Sequence, residues 1–487
     1  MSSFYIDFHC HPAMKPYGHS FKKTVGSNSK NRKDKNSIWH YDPPSNFDKI
    51  LNYIGTLTKF RQSDFSTLTY GNARIICASL YPLEKPFVDT KKFGAGDVSD
   101  LLTNLATGLS DKRIDFVQKM EDYFNDLQEE YLFYVKQSDA IIEVEGQKAK
   151  YKLVSNYEEI QNNQLLNENL KPNDPEIISV ILSIEGAHIF NCAPYLKKPL
   201  KSIATIEVLI NKLKTWPHPV FFMTFAHHYF NNLCGHATSL NSTLQKISPQ
   251  TVGLGTGFTE LGWKVLDLLL SKTNGKRILI DVKHMSVIAR AEYFMYLSIK
   301  YKDQDIPIIV SHGAVNGLHS PQIPVHVNPA TAGKFMTGDI NFYDSELEVI
   351  ARSNGILGLQ LDERRIANDG TRKKAEGNWS KREIQHEHAR LMWNQIQHIG
   401  EVLDSRNLPA WNCITLGTDY DGIVDPLNGF WTAEQFPDLE QALSKHAYNY
   451  LSKPNAIKND FNKISVNDLM EKVMRLNGIN FLQRYFK

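Results

Sequence analysis

Seven residues scattered along the chain, His9, His11, Glu185, His227, His284, His312 and Asp419, share one local context. Each stands at or just past the end of a short apolar run. These are the side chains that hold divalent cations: neutral imidazole is a favoured ligand for zinc and its neighbours, and a carboxylate can bridge two ions. His9 and His11 close the run Tyr5-Ile6-Asp7-Phe8-His9-Cys10-His11. In an extended strand, side chains two apart share a face, so the two imidazoles would stand side by side, with Cys10 turned away as a packed thiol. Glu185 ends another run and is followed by Gly186, where the backbone can turn sharply. A carboxylate buried there is costly unless it is paired or metal-bound.

His284 and His312 each follow an apolar run and precede a turn-prone segment. Asp419, in Thr418-Asp419-Tyr420-Asp421-Gly422, can cap a turn, or it can take a proton from metal-activated water and pass it to a leaving amine. Asp421, in the turn itself, reads as structural. Of the pair His227 and His228, His227 lies nearer its strand and is the preferred donor to an oxyanion. His188 reads as the start of a loop or helix. Any one of these residues alone could be a hydrogen-bonded packing side chain. Their recurrence at the ends of successive runs is what argues for a shared site.

The elements that must position them are eight apolar, non-alternating runs. They are Tyr5–His11, Ala73–Tyr81, Ile177–Ile184, Pro219–Phe225, Arg277–Val282, Ile306–Val310, Gly355–Gln360 and Cys413–Gly417. Continuous apolar strands suit a parallel sheet covered on both faces. Eight of them, mostly separated by helical stretches, predict an α/β fold of the (β/α)8 TIM-barrel type, with catalytic groups at the C-terminal ends of the strands. Apolar residues at helical spacing predict one long helix from Ser110 to about Gln137 and another beginning near Thr259. The expected organisation is a single domain over 1–487, with insertions at about 20–70 and 85–175, after strands 1 and 2. Gly253, Gly255 and Gly257 lack a preceding strand and the G-x-G-x-x-G order, so they read as a lead into a helix rather than a nucleotide site.

At 487 residues, 42% hydrophobic and 22% charged, the chain can bury a large core, and its net charge of +2 favours no class of partner. No apolar stretch approaches the roughly 18 residues of a membrane span. The N-terminus opens on a strand-like run, so no secretory signal is expected. Five scattered cysteines, with no Cys-x-x-Cys pair, fit a reduced, cytoplasmic setting. The basic segment from Lys22 to Lys35 reads as a solvated loop that could also overhang the barrel mouth. No nucleic-acid motif or phosphate-binding loop is present.

Taken together, the residues resemble the membrane dipeptidase (renal dipeptidase, peptidase M19) family of the amidohydrolase superfamily. The resemblance rests on Ile184-Glu185-Gly186, Thr224 to His227, Gly257-Phe258-Thr259-Glu260-Leu261-Gly262, Ile280-Asp281-Val282-Lys283-His284 and Ser311-His312. It continues in Asn341-Phe342-Tyr343-Asp344, Gly417 to Gly422 and Gly478 to Arg484. It implies a barrel holding two divalent metal ions, zinc by the family's habit, and hydrolysis of dipeptides, often with a D-residue at the C-terminal position, by a metal-activated hydroxide. By position, His9 and His11 would hold the first metal, Glu185 would bridge, and His284 and His312 would complete the second site. His227 would touch the substrate or its oxyanion, and Asp419 would shuttle the proton. A homodimer is compatible with the family, though no segment argues for one.

Three departures qualify the resemblance. The family usually has His-x-Asp on the first strand, and this chain has His-x-His, which raises the site's charge by one. Lys283 stands where a small polar residue is usual. The arginine that would bind the substrate's carboxylate, expected a few residues before Asn341, is absent from Thr337-Gly338-Asp339-Ile340. Arg364 or Arg365, just past the seventh strand, are the candidates to bind substrate in its place. The alternatives are another amidohydrolase activity, an amidase or lactonase on a non-dipeptide substrate, and a barrel that binds a metal or ligand without turnover.

Overall fold

The structure is a computed structural model that describes residues 4–21, 27–55, 58–88, 108–240, 245–246, 248–377, 380–423 and 425–487. Ten strands form among them: β1 (Tyr5–Cys10), β2 (Ala73–Leu80), β3 (Ile142–Val144), β4 (Gln147–Leu153), β5 (Glu176–Glu185), β6 (Val220–Thr224), β7 (Leu279–Asp281), β8 (Ile309–Gly313), β9 (Ile356–Leu359) and β10 (Ile414–Leu416). Eight of them pair in parallel in the order β1-β2-β5-β6-β7-β8-β9-β10. The remaining gap, from β10 back to β1, is crossed by a parallel bridge between Cys10 and Tyr420 and by the bond from Asp419 N to His9 O at 2.8 Å. This is the (β/α)8 TIM barrel that the eight runs imply. Its β2 and β5 are buried almost end to end, as strands covered on both faces must be.

Several elements differ from the sequence reading. The helix expected over Ser110–Gln137 is two, Asp111–Lys119 and Tyr123–Val135. Met120 adopts an extended conformation, and the Asp122 carboxylate accepts from Asn125 N to start the second helix, a local bond that competes with continuing the first. Glu121, between them, is held by Lys85 Nζ and Lys197 N. The run Ile306–Val310 begins pairing only at Ile309, because Pro307 has no N–H for the ladder. The strand extends to Gly313 and carries Ser311 and His312 within it. The second insertion supplies the antiparallel hairpin β3–β4. β4 joins β5 in parallel over Glu176–Val180 on the edge that β6 takes up from Leu182 onward.

Of the basic segment, Lys22 and Lys23 lie outside the described residues. Arg32 donates to Ser66 Oγ and Tyr70 OH, just before β2 begins, which anchors its part of the loop at the N-terminal end of the barrel and away from the mouth. That end is closed by the C-terminal helix Asn477–Tyr485. Asn477 donates to Trp411 O and Ile414 O, and Phe481 meets Phe8 edge-on. Thr259 and Ser286 cap the helices Glu260–Leu270 and Val287–Lys300 by accepting from Gly262 N and Ala289 N, which fixes where each helix starts. No described helix is long and apolar enough to cross a membrane.

Candidate metal centre

The C-terminal ends of β1, β5, β6, β7, β8 and β10 converge on one carboxylate. Glu185, the last residue of β5, is buried and ringed by five imidazoles. Its Oε2 lies 3.0 Å from His11 Nε2, and its Oε1 lies 3.5 Å from His9 Nε2, 3.5 Å from His227 Nε2, 3.6 Å from His312 Nε2 and 3.7 Å from His284 Nε2. Asp419 completes the group: its Oδ1 is 3.6 Å from His11 Nε2 and its Oδ2 is 3.8 Å from His312 Nε2. With a side chain 15% exposed against 5% for Glu185, Asp419 is the carboxylate that faces the opening.

Local structure aims these side chains. His11 Nδ1 donates to Ser79 O at 3.1 Å, which leaves Nε2 directed at the cluster. His9 and His312 both turn Nδ1 toward Ser311 Oγ, at 3.2 and 3.1 Å. Asp281 ties three strands together by accepting from Thr224 Oγ1 and Ser311 Oγ, each at 2.6 Å. Asp7 does the same between β1 and β10, accepting from Thr418 Oγ1 at 2.6 Å. His284 and Asp419 sit in the left-handed backbone region, at φ 66° and 61°. Such conformations persist only where the surroundings over-determine them. Gly186 has φ 106°, and a Cβ there would fall 2.2 Å from His188 Nδ1.

The donor atoms meet the spacing a cation requires. Ligands about 2.0 Å from a tetrahedral zinc lie about 3.3 Å from one another. In the group His9, His11, Glu185 and Asp419, the two imidazole Nε2 atoms are 3.1 Å apart and the imidazole–carboxylate distances run from 3.0 to 3.8 Å. Glu185, His284 and His312 form a second group that shares the same carboxylate. Electrostatics agree. Burial raises the Glu185 carboxyl, but His227, His9 and His11 outweigh it and hold it well below the usual range. Burial, then neighbouring positive charges, hold His284 and His312 well below theirs, in the neutral form that binds metal. Burial lowers His11, yet Glu185 and Asp419 carry it up to about 10. The ring thus draws positive charge to its centre.

His227 has a second carboxylate behind it that sequence reasoning missed. Glu84 Oε2 lies 2.6 Å from His227 Nδ1, and Glu84 Oε1 accepts from Tyr229 N. Burial lowers His227, but Glu185 and then Glu84 raise it to about 9. Burial raises Glu84, but His227 above all brings it down to about 2. The signal in the sequence was slight, an acidic residue shortly after strand 2 ended in Pro82. His228, the other half of the pair, hydrogen-bonds Ser239 Oγ and stays neutral, burial being the chief cause. His188 packs in a short turn with Nε2 donating to Pro82 O. Asp421 pairs with the buried Lys15 at 2.9 Å and accepts from Ser63, a structural role.

The two arginines part company. Arg364 is forked onto Asp362 and reaches Asp425, and it lines a separate cavity of about 660 Å³ with Arg372 and Lys374. Arg365 donates to Ser239 O and lies within electrostatic reach of Asp419. Lys283, directly before His284, is buried with no hydrogen-bond partner for its Nζ among the described residues. Burial, then Arg365, bring its ammonium down to about 7.

A family model described as membrane dipeptidase (peptidase family M19) matches residues 118–452, a span that includes Glu185 through Asp419 and leaves β1 outside. Among solved structures, a metallopeptidase from Rhodobacter sphaeroides liganded with a phosphinate mimic of the dipeptide L-Ala-D-Ala is 14% identical, covers 99% of each chain and has a TM-score of 0.52. Dipeptidase AC, an M19 metallopeptidase, is 15% identical over 88% of this chain and 90% of its own, with a TM-score of 0.49. The probable dipeptidase PvdM from Pseudomonas aeruginosa is 12% identical over 87% and 88%, with a TM-score of 0.47. At such identities the likeness concerns the fold. Among curated proteins no match was found.

Proposed function

The chain belongs to the membrane dipeptidase family, peptidase family M19, and from that premise we propose that it hydrolyses dipeptides at the mouth of its barrel. The observation that carries this reading is a buried carboxylate, Glu185, with five imidazoles around it and a more open carboxylate, Asp419, at the rim. His9, His11, Glu185 and Asp419 would hold one divalent ion, and Glu185, His284 and His312 a second, with zinc suited to so imidazole-rich a set. Cations held there acidify water and polarise the scissile carbonyl.

The chain's own groups account for the rest. Asp419 takes the proton of the attacking water and gives it to the departing amine nitrogen. His227, with Nδ1 fixed by Glu84, directs its Nε2–H at the oxygen that gains charge as the carbonyl is attacked. Arg365, within electrostatic reach of Asp419, would attract the substrate's anionic end. All five cysteines are free and buried, which supports a cytoplasmic setting.

The test is metal analysis of the purified protein, followed by assay after zinc or manganese addition on L,L- and L,D-dipeptides, N-acyl amino acids and lactones. Hydrolysis of dipeptides, dependent on the ion, is expected. The second reading, an amidase or lactonase, is favoured by the absence of an arginine in Thr337–Ile340, where Arg290, which reaches Asp339 O, is consumed by Glu346. Activity confined to substrates without a free carboxylate would select it.

A further inference from the structure

Lys283 is a buried amine with no hydrogen-bond partner among the described residues. It stands directly before His284, one of the cluster imidazoles, and its own N–H is held by Asp281, which knits the strands. Nζ makes no hydrogen bond among the described residues. Asp419, Asp281 and Glu185 are within electrostatic reach, and none of them is in hydrogen-bonding contact with it. Arg365, which crosses from the segment after β9 to donate to Ser239 O, adds a second positive charge on the same side. A buried ammonium left unpaired is among the more expensive arrangements a fold can hold, and a like charge beside it raises that cost. Other orphaned polar atoms in this protein are neutral, or belong to groups whose remaining atoms are bonded. Lys283 has only the one group to satisfy.

An arriving anion removes this penalty. We propose that Lys283, with Arg365 beside it, is the receptor for a carboxylate of the substrate, and so the residue that makes this site prefer substrates with a free carboxylate next to the cleaved bond. The assignment rests on the hydrolytic reading above and gives it a substrate class. A short Nζ–carboxylate bond would anchor the substrate on the turn just past β7 that also carries His284, one residue away, so anchoring and bond cleavage share one segment.

The test compares L-alanyl-D-alanine with L-alanyl-D-alaninamide on the zinc-loaded full-length protein and its Lys283→Met and Lys283→Arg variants. The quantity read is the ratio of kcat/KM for acid over amide, which cancels any general damage to the fold or to metal content. Wild type should favour the acid. Lys283→Met should lower the ratio about 30-fold or more, mainly through KM, as expected for loss of a charge-assisted bond in a desolvated site. Lys283→Arg should keep most of the preference. A ratio unchanged in Lys283→Met, or a wild type with no preference for the acid, overturns the assignment. Calorimetric titration with the same two compounds separates this result from failure of the hydrolytic reading. If neither is cleaved, tighter binding of the acid that Lys283→Met abolishes still supports the receptor, and equal binding of acid and amide refutes it.

Discussion

Replacing Glu84 by glutamine isolates the charge behind His227. The amide keeps the shape and an acceptor for Nδ1–H, 2.6 Å away, and removes the negative charge together with the second acceptor, the one that Tyr229 N uses. Burial disfavours both ions, yet Glu84 falls from 4.5 to about 2, while His227 rises from 6.5 to about 9 under Glu185 and then Glu84. Seen from either end, the displacement is worth about 3 kcal/mol; the Glu84–His227 pair enters both, and on the His227 side Glu185 contributes more. Glu84's depressed value stabilises the fold in full above about pH 4.5 and loses that contribution as the pH falls toward 2. His227's raised value stabilises in full below about 6.5 and is lost as the pH rises through about 9. Between those limits Glu84→Gln should cost roughly 1–3 kcal/mol, because Glu185 still supports part of the charge on His227. In the metal-loaded enzyme, kcat should fall about 10- to 100-fold, as for other lost outer partners of a working imidazole. The alkaline limb of the kcat/KM profile should move to lower pH by roughly one to two pH units. The assay is dipeptide hydrolysis from pH 5 to 10, with thermal denaturation at pH 5.5 and 9. An unmoved alkaline limb with a rate within about twofold of wild type would refute the reasoning.

Four further outcomes follow from the same geometry. Asp419→Asn should reduce kcat by about 10²- to 10⁴-fold, and near-normal turnover would remove the proton shuttle. Chelation should abolish hydrolysis and lower Tm, with zinc or manganese restoring both; at a hundred times Kd the bound ion adds about 2.7 kcal/mol of stability, and a Tm indifferent to metal argues against the centre. Gly186→Ala forces a Cβ to 2.2 Å from His188 Nδ1 at φ 106° and should cost about 1–3 kcal/mol, measurable by denaturant titration. Asp281→Ala removes the acceptor shared by Thr224, Ser311 and Lys283 N and should cost about 2–4 kcal/mol; a loss below about 1 kcal/mol would contradict its role as the tie between strands.

The fold and much of the cluster were legible in the sequence because both are written locally. A run such as Ile177–Ile184, apolar on both faces, has few stable environments besides a covered parallel strand, and a polar residue at its C-terminal end has a known place in a barrel. His9, His11, Glu185, His227, His284, His312 and Asp419 could be named together on that basis before any contact was known. Boundaries were less legible. The cap at Asp122 divides a helix whose apolar spacing runs on unbroken, and β8 starts after Pro307 and runs past Val310, so that His312 lies inside it.

What the sequence determined by itself is the set of elements and the chemistry hung on their ends, since backbone periodicity and residue type are properties of a few neighbouring positions. Only the tertiary structure decided the pairings: that Glu84 stands behind His227 across 143 positions, that Arg364 is spent on Asp362 while Arg365 donates to Ser239 O within electrostatic reach of Asp419, and that Lys283 is enclosed with no hydrogen-bond partner for Nζ among the described residues. Closing the barrel brings distant residues within a few ångströms of one another, and charge interactions at that range depend on distance and burial, which one-dimensional spacing does not encode.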